Sequence, residues 1–384
     1  MPWVDERRLD DSDALRALDS RDSLRSLASA GAQVRRAIVS AQEAGITTAA
    51  GGERPRSVLV AALGGSALVC DVLDLLAEPG SPVPVTTRRS APLPGWVGPL
   101  DLVIAVSQSG RAAGPLALAA EAARRGASLL TVGAADSPLA DVCARARGVH
   151  VDVALPTPSS RTALWSLLTP VLLAADALGL VDCPASVLER VADVLDAVAE
   201  QCRPSSESFV NPAKVLALGL GATVPVVLGD GPLAGVAAKR AAAMLARTAR
   251  VPATHGALPD AASQVVACLD GPFGSGPDDG PGAAADDLFA DPYLDGPPTQ
   301  RLGLLALRDP DQTPDAVALA DAVVASARET GIPVFEQEAR SGAPIERLAS
   351  LVALTDFMAT YVALGLGLDP SVSRHVTELR DRTS

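Results

Sequence analysis

The sequence predicts an α/β protein of two tandem domains, each a parallel sheet flanked by helices in a doubly wound, flavodoxin-like arrangement. Three observations predict it. Short apolar runs alternate with stretches of helical periodicity along most of the chain. Several of those runs end in turns rich in glycine and serine. The order of run, turn and helix occurs twice, on either side of a helical stretch in the middle of the chain.

The elements follow in order. Residues 1–50 place Leu15, Leu18, Leu24, Leu27, Val34 and Ile38 at helical spacing among charged residues, which predicts a helical extension of one or two amphipathic helices. The first domain is expected over 51–155. Its strands are Ser57–Leu63, Val83–Thr87, Asp101–Val106, Ser128–Val132 and His150–Val153, and its helices Ala67–Glu78, Pro115–Arg125 and Leu139–Arg147. Connecting helices fill 156–210, as Ser160–Leu180 and Ala185–Cys202. The second domain is expected over 211–384, with strands at Thr223–Leu228, Gln264–Leu269, Leu302–Leu307 and Gly331–Glu336. Its helices are Ala234–Ala249, Pro314–Thr330 and the long apolar Ile345–Leu366. Residues 270–298 are crowded with Gly, Pro and Asp and lack periodicity, which predicts a disordered loop.

Composition excludes several functions. The net charge of −13 argues against non-specific binding to nucleic acid or to an anionic membrane, so an anionic ligand needs a local site. No uninterrupted apolar run reaches membrane-spanning length. Leu164–Leu180 comes closest, but Thr169, Pro170 and Asp176 interrupt it. The start of the chain is charged and lacks the apolar core of a signal peptide, which predicts a cytoplasmic protein. Cys70, Cys143, Cys183, Cys202 and Cys268 form no CxxC pair and read as buried, reduced thiols. His150, His255 and His375 lie far apart, so neither a metal nor a cofactor is expected.

In an open parallel sheet, ligands bind beyond the carboxyl ends of the strands. Gly64-Gly65-Ser66 and Ser107-Gln108-Ser109-Gly110 both lie at such an edge, and each precedes a helix. The unbonded N–H groups of a helix start favour an anion, and serine hydroxyls are neutral donors to phosphate oxygens. Gly and Ser are also the ordinary residues of strand–helix turns, so the weight rests on finding two such turns at neighbouring strands.

Longer stretches carry a family resemblance. Leu63–Leu73 (LGGSALVCDVL) resembles G-M-G-G-S-x-x-x-x-D, and Ala105–Gly110 (AVSQSG) resembles S-Y-S-G-N-T. Ser159–Leu164 (SSRTAL) resembles P-R-x-A-L. Leu354–Arg380 resembles the closing segment L-G-D-W-x-S-x-Y-L-A-L-x-x-G-x-D-P. In this order the motifs are similar to those of the bifunctional phosphoglucose/phosphomannose isomerases of the sugar-isomerase (SIS) superfamily, over roughly Ser57 to Arg380. The resemblance implies two SIS domains, a sugar-phosphate ligand and a homodimer with sites at the subunit interface. One face of the helix Ile345–Leu366 has no obvious partner in a monomer, which fits either a dimer contact or simple core packing. The resemblance also implies that Ser66, Ser107 and Ser109 hold the phosphate, with Gly64, Gly65, Gln108 and Arg111 around it. Arg161 would stabilise enediolate charge.

The match breaks where proton transfer is done. The family glutamate of R-W-x-x-x-x-N-E-N-A-K-x-P-A falls on Arg247, and the ring-opening histidine of P-E-L-x-H-N-E falls on Ser263. Arginine is not a base near neutral pH. Three expectations follow. The first is a sugar-phosphate-binding protein with lost or reduced turnover and a regulatory role, including a protein partner in mannose metabolism. The second is an active aldose–ketose isomerase using Arg161, Asp260 and His255. The third is a structural dimer or partner-binding protein with a vestigial pocket. Ligand binding separates the first two from the third, and turnover separates the second from the first.

Overall fold

A computed structural model describes residues 4–153, 159–274 and 301–383. Four short helices open the chain, where the periodicity predicts one or two: α1 (Glu6–Asp10), α2 (Ser12–Leu18), α3 (Ser23–Ala28) and α4 (Ala30–Glu43). Aspartates divide them. The carboxylates of Asp5 and Asp11 each accept from two backbone N–H groups of the turn that follows. Asp19 does the same for Ser23 and Leu24, at 2.8 and 2.9 Å. A side chain that caps one helix also stops the one before it.

The described residues form two bodies. The first comprises 25–197 with 343–346; the second comprises the remainder. The first is built on β1 (Val58–Ala62), β2 (Val85–Arg88), β3 (Leu102–Ser107), β4 (Ser128–Gly133) and β5 (Val149–Asp152). The strand order is β2-β1-β3-β4-β5 and every pairing is parallel. β1 and β3 are buried at every position, as strands covered on both faces must be. The crossovers are α5 (Leu68–Ala77), α6 (Ala113–Arg124) and α7 (Pro138–Arg145), followed by α8 (Leu164–Ala177) and α9 (Ala185–Gln201). Leu59, Ala61, Val103 and Ala105 pack with Leu118, Ala122, Leu139 and Cys143 into one core layer.

The second body contains α10 (Pro212–Leu220), β6 (Val224–Gly229), α11 (Pro232–Met244), β7 (Thr254–Ala257), α12 (Ala262–Leu269), β8 (Leu302–Arg308), α13 (Pro314–Glu329) and β9 (Val334–Glu338). Its order, β7-β6-β8-β9, is again parallel throughout and repeats the first four positions of the other sheet. Two expectations are corrected here. Residues 264–269 are helix, not strand: Val265 and Leu269, four apart, are buried, while Ser263 and Gln264 are exposed. A six-residue apolar run fits either period, and here the 3.6-residue one governs. The missing strand is β7, whose polar THGA sequence hides it because it occupies a sheet edge. The helix predicted to Ala249 instead leaves α-geometry at Met244. A π-turn over Leu245–Ala249 follows, and Arg250 adopts φ 60°. Of the predicted loop 270–298, residues from 275 lie outside the described residues. Leu302 N–H donates to Phe273 O at 2.8 Å.

α14 (Pro344–Gly365) has the length and hydropathy to cross a membrane, as Leu164–Leu180 does not, but 94% of its apolar window is buried inside the protein. The face expected to lack a partner is therefore covered within the chain. α15 (Arg374–Thr383) closes the described residues. Cys70, Cys143, Cys183 and Cys202 are buried and unbridged, whereas Cys268 on the outer side of α12 is exposed, contrary to expectation.

One charged pair lies inside the second body. Arg240 of α11 donates through Nε and Nη2 to the two carboxylate oxygens of Asp356, each at 2.9 Å, and both side chains are about 5% exposed. Removing one partner strands the other charge without water. Arg240→Ala should therefore cost about 3–5 kcal/mol. A lower urea midpoint at unchanged slope checks this. A double replacement by Met and Leu should recover much of the loss.

Candidate functional site

The order β2-β1-β3 makes the chain leave β1 and β3 in opposite directions. This opens a crevice at their carboxyl ends, where Ala62 pairs with Val106. Both glycine–serine turns lie there. In the first, Gly64 has φ +65°, a conformation that disfavours any side chain. Gly65 is packed so closely on Ser160 that a Cβ would not fit. Ser66 is 3% exposed, and its hydroxyl donates to Leu63 O at 3.0 Å. The second turn is pinned by its backbone. Gly110, with φ +61°, donates to Ser107 O, Ala134 N–H donates to Gln108 O, and Leu139 N–H donates to Gly110 O, all within 2.9–3.2 Å.

The hydroxyls differ in what they have left to give. Ser107 Oγ accepts from Ala112 N–H at 3.4 Å, and the exposed Ser109 Oγ accepts from Arg111 N–H at 3.3 Å. An accepting hydroxyl keeps its own proton for a ligand. Ser66 has turned its proton inward, so what it offers the crevice is backbone. The helix starts reinforce this. α7, α10 and α13 each begin with a side-chain cap and a proline, from Ser137, Asn211 and Thr313. α5 and α6 begin at Ala67 and Ala112 with no side-chain cap, as α4, α8, α11 and α12 also do, and at this edge their first N–H groups meet no side-chain competitor.

Arg161 is brought to the same edge. Ser160, its neighbour, packs on Gly65, and Arg161 donates through N and Nε to Ser159 Oγ at 3.2 and 3.1 Å. The first body thus gathers Gly64, Gly65, Ser66, Ser107, Gln108, Ser109, Arg111 and the Arg161 segment. The remaining candidates are in the second body. Arg247 is exposed on the π-turn, His255 is exposed on β7, Asp260 is exposed in the turn after β7, and Ser263 is exposed on α12. Two features escaped the sequence reading: the close approach of Ser160 to Gly65, and Arg88-Arg89 at the end of β2 on the same edge. The arginine pair was legible as charge at the end of a predicted strand.

The second sheet has the matching crevice between β6 and β8, and its chemistry is reversed. Both oxygens of Asp230 accept from Asp309 N–H at 3.0 Å. Asp309 in turn binds Arg347 Nε at 2.7 Å, and Arg347 also meets Asp311 at 3.2 Å. The side-chain amide of Gln312 packs against Gly231. Burial pushes the Asp230 carboxyl up to about 6, against the pull of the Asp309 N–H and Arg308. Carboxylates and a glutamine occupy the position that an anion would need. A cavity of about 390 Å³ also lies in the first body, away from the turns, lined in part by Gln33, Arg36, Asp152 and Ser166. Gln33 there is fully engaged with Ser26, Thr162 and Ser166.

Residues 209–383 match the family described as bacterial phospho-glucose isomerase C-terminal SIS domain. A bifunctional phosphoglucose/phosphomannose isomerase of Caldicellulosiruptor bescii is 28% identical over 197 residues, which span 51% of this chain and 57% of that protein. The chain therefore matches little more than half the length of that relative. Among solved structures, the C-terminal domain of glucosamine-fructose-6-phosphate aminotransferase from Francisella tularensis superposes with a TM-score of 0.63 at 12% identity, covering 91% of this chain and 98% of that one. Glucosamine-6-phosphate deaminase from Thermotoga maritima gives 0.61 at 11% identity, covering 92% and 98%. These likenesses show the shared fold.

Asp230 supplies a pH test of the second crevice. Its folded-state pKa lies above its unfolded value, so the folded protein holds the extra proton between about pH 4 and 6. Stability should then fall by roughly 3 kcal/mol as pH rises through that window and level off above it. Urea unfolding across that range checks this, and Asp230→Asn should remove the decline.

Proposed function

We propose that this chain, a SIS-domain protein that resembles the bifunctional phosphoglucose/phosphomannose isomerases, binds a hexose phosphate at the β1/β3 edge and has lost most of the family's turnover. The observation that carries this reading is selective. The turns and uncapped helix starts that suit a phosphate are retained, while the two proton-transfer positions hold Arg247 and Ser263. The phosphate oxygens would take the hydroxyl protons of Ser107 and Ser109, the N–H groups of the Gly64–Ser66 turn and those opening α5 and α6. Arg161 would lie beside the sugar, steadied by Ser159.

Isomerisation between C1 and C2 needs a base to carry a proton across the enediolate and an acid to open the ring. An arginine side chain stays protonated and a serine hydroxyl is a poor acid, so neither replacement supplies the step. Each missing group costs about 10²–10⁴-fold. A protein that recognises a hexose phosphate without consuming it is suited to report its concentration, which favours a regulatory role in hexose or mannose phosphate metabolism, in the cytoplasm. The same reading has the chain pair as a homodimer. An exposed apolar row on α15, Val376 and Leu379 with Val372 before it, offers a surface for a second copy. Light scattering should then give twice the chain mass of 38.9 kDa.

Calorimetry with glucose, fructose and mannose 6-phosphates should detect binding of at least one. Ser107→Ala with Ser109→Ala should weaken it about tenfold or more, since each lost donor is worth about 1 kcal/mol. Proton NMR of the bound sugar phosphate should show no interconversion over hours. Heat from none of the three overturns the binding site. Steady interconversion overturns the loss of turnover and returns Arg161, Asp260 and His255 to an active isomerase.

A further inference from the structure

At the carboxyl end of β2, Arg88 is the last strand residue and Arg89 the first beyond it, both exposed on the edge that carries both glycine–serine turns. Arg88 pairs in register with Ala61 of β1, one residue before the strand ends. The backbone of Arg89 and Ser90 is packed against the first turn of α6, so closely that only glycine fits at Gly114. Arg111 lies at the entry to the same helix and is exposed. Among the described residues, the guanidinium groups of Arg88, Arg89 and Arg111 make no hydrogen bond or ion pair. Elsewhere in the first body, Arg35 pairs with Asp193 and Asp196, Arg56 with Asp101, Arg124 and Arg125 with Glu121, and Arg190 with Glu346. At the far end of the edge, the Asp152 carboxylate of β5 accepts from Ala135 N–H at 3.0 Å.

Three uncommitted guanidinium groups on one edge repel each other, in a protein whose carboxylates outnumber its cations by 45 to 32. A chain with that surplus of carboxylates has ample means to neutralise them internally. β2 and β3 flank β1, so their ends lie about 10 Å apart at the usual strand spacing. A single phosphate gripped by Ser107 and Ser109 does not span that distance, whereas the two ends of a phosphorylated hexose do. Arginine is also the side chain whose planar fork matches phosphate oxygens in pairs.

We infer that the ligand of this edge carries a second anionic group, and that the chain selects a hexose bisphosphate over a monophosphate. The inference rests on the proposed phosphate site: the hydroxyl turns, with Arg111 beside them, hold one phosphate, and Arg88 and Arg89 hold the other. Selection lies in the charge pairs, because the turns treat both ligands alike.

The test is calorimetry of the full chain with fructose 6-phosphate and with fructose 1,6-bisphosphate at low and at physiological salt. The bisphosphate should bind at least about tenfold tighter, an excess equivalent to one or two charge-assisted contacts, and higher salt should reduce that excess. Arg88→Ala with Arg89→Ala should abolish the excess and leave fructose 6-phosphate affinity unchanged. Circular dichroism and the unfolding midpoint verify that the exposed double variant folds. Monophosphate binding equal to bisphosphate binding in the unaltered chain overturns this inference and leaves the phosphate site standing. An excess that survives the double variant overturns the role of the arginines. Heat from neither ligand removes both conclusions.

Discussion

The reversal of strand order at β1 is the constraint on which the rest of the first body depends. A parallel strand whose neighbours on its two sides are reached by crossovers in opposite senses must leave a gap at its carboxyl end, because the helices turn away from each other there. That gap is where the turns and helix starts meet solvent, with the N–H groups of Arg111 and Ala112 donating to Ser109 and Ser107 Oγ. Glycine at 64 and 110 follows from it, since the chain turns through positive φ on each side to start its helix. So does the bareness of the helix starts. A serine or aspartate cap at position 67 or 112 would satisfy those N–H groups from within and close the gap to an anion.

The second sheet shares the reversal and resolves it in the opposite way. Asp230 and Asp309 are buried against one another and tied by a backbone N–H, with Arg347 paired to Asp309 and Arg308 near Asp230. The topology alone therefore does not make an anion site. It makes a place where the local sequence decides between donors turned toward a ligand and carboxylates turned onto the chain itself. The raised Asp230 pKa is the cost of that second choice, paid as a proton held where an exposed aspartate would have released it. Two crevices of like geometry and opposite charge on one chain argue that the ligand is taken at one of them.

Much of this was legible in the sequence, for reasons that differ by element. β1, β3, β6 and β8 are apolar at all or all but the last position, as strands covered on both faces are, and each is bounded by turn residues that set its length. Their turns were legible because glycine there has a conformational cause. β7 was not, since an edge strand is defined by its hydrogen bonds and THGA has no apolar pattern to reveal them. α12 was misread because Val265, Val266 and Cys268 favour a strand locally, and the packing of Val265 and Leu269 on the core overrides that preference. At the site, the identities of Ser66, Ser107 and Ser109 were readable, but the direction of each proton was not. That depends on whether a main-chain carbonyl, such as Leu63 O, lies within reach.

The turn residues and the positions that align with the family's proton-transfer groups are exposed alike. Ser109 and Arg111 are as exposed as Arg247 and Ser263. Yet the turns keep donors, and Arg111 adds a positive charge, in a chain whose net charge of −13 repels anions everywhere else. A bare arginine on a helix start, with Arg88 and Arg89 beside it, is electrostatically unfavourable until an anion arrives. Such an arrangement is stabilised by its ligand more than by its own fold, and so the folded state should be one that ligand binding tightens.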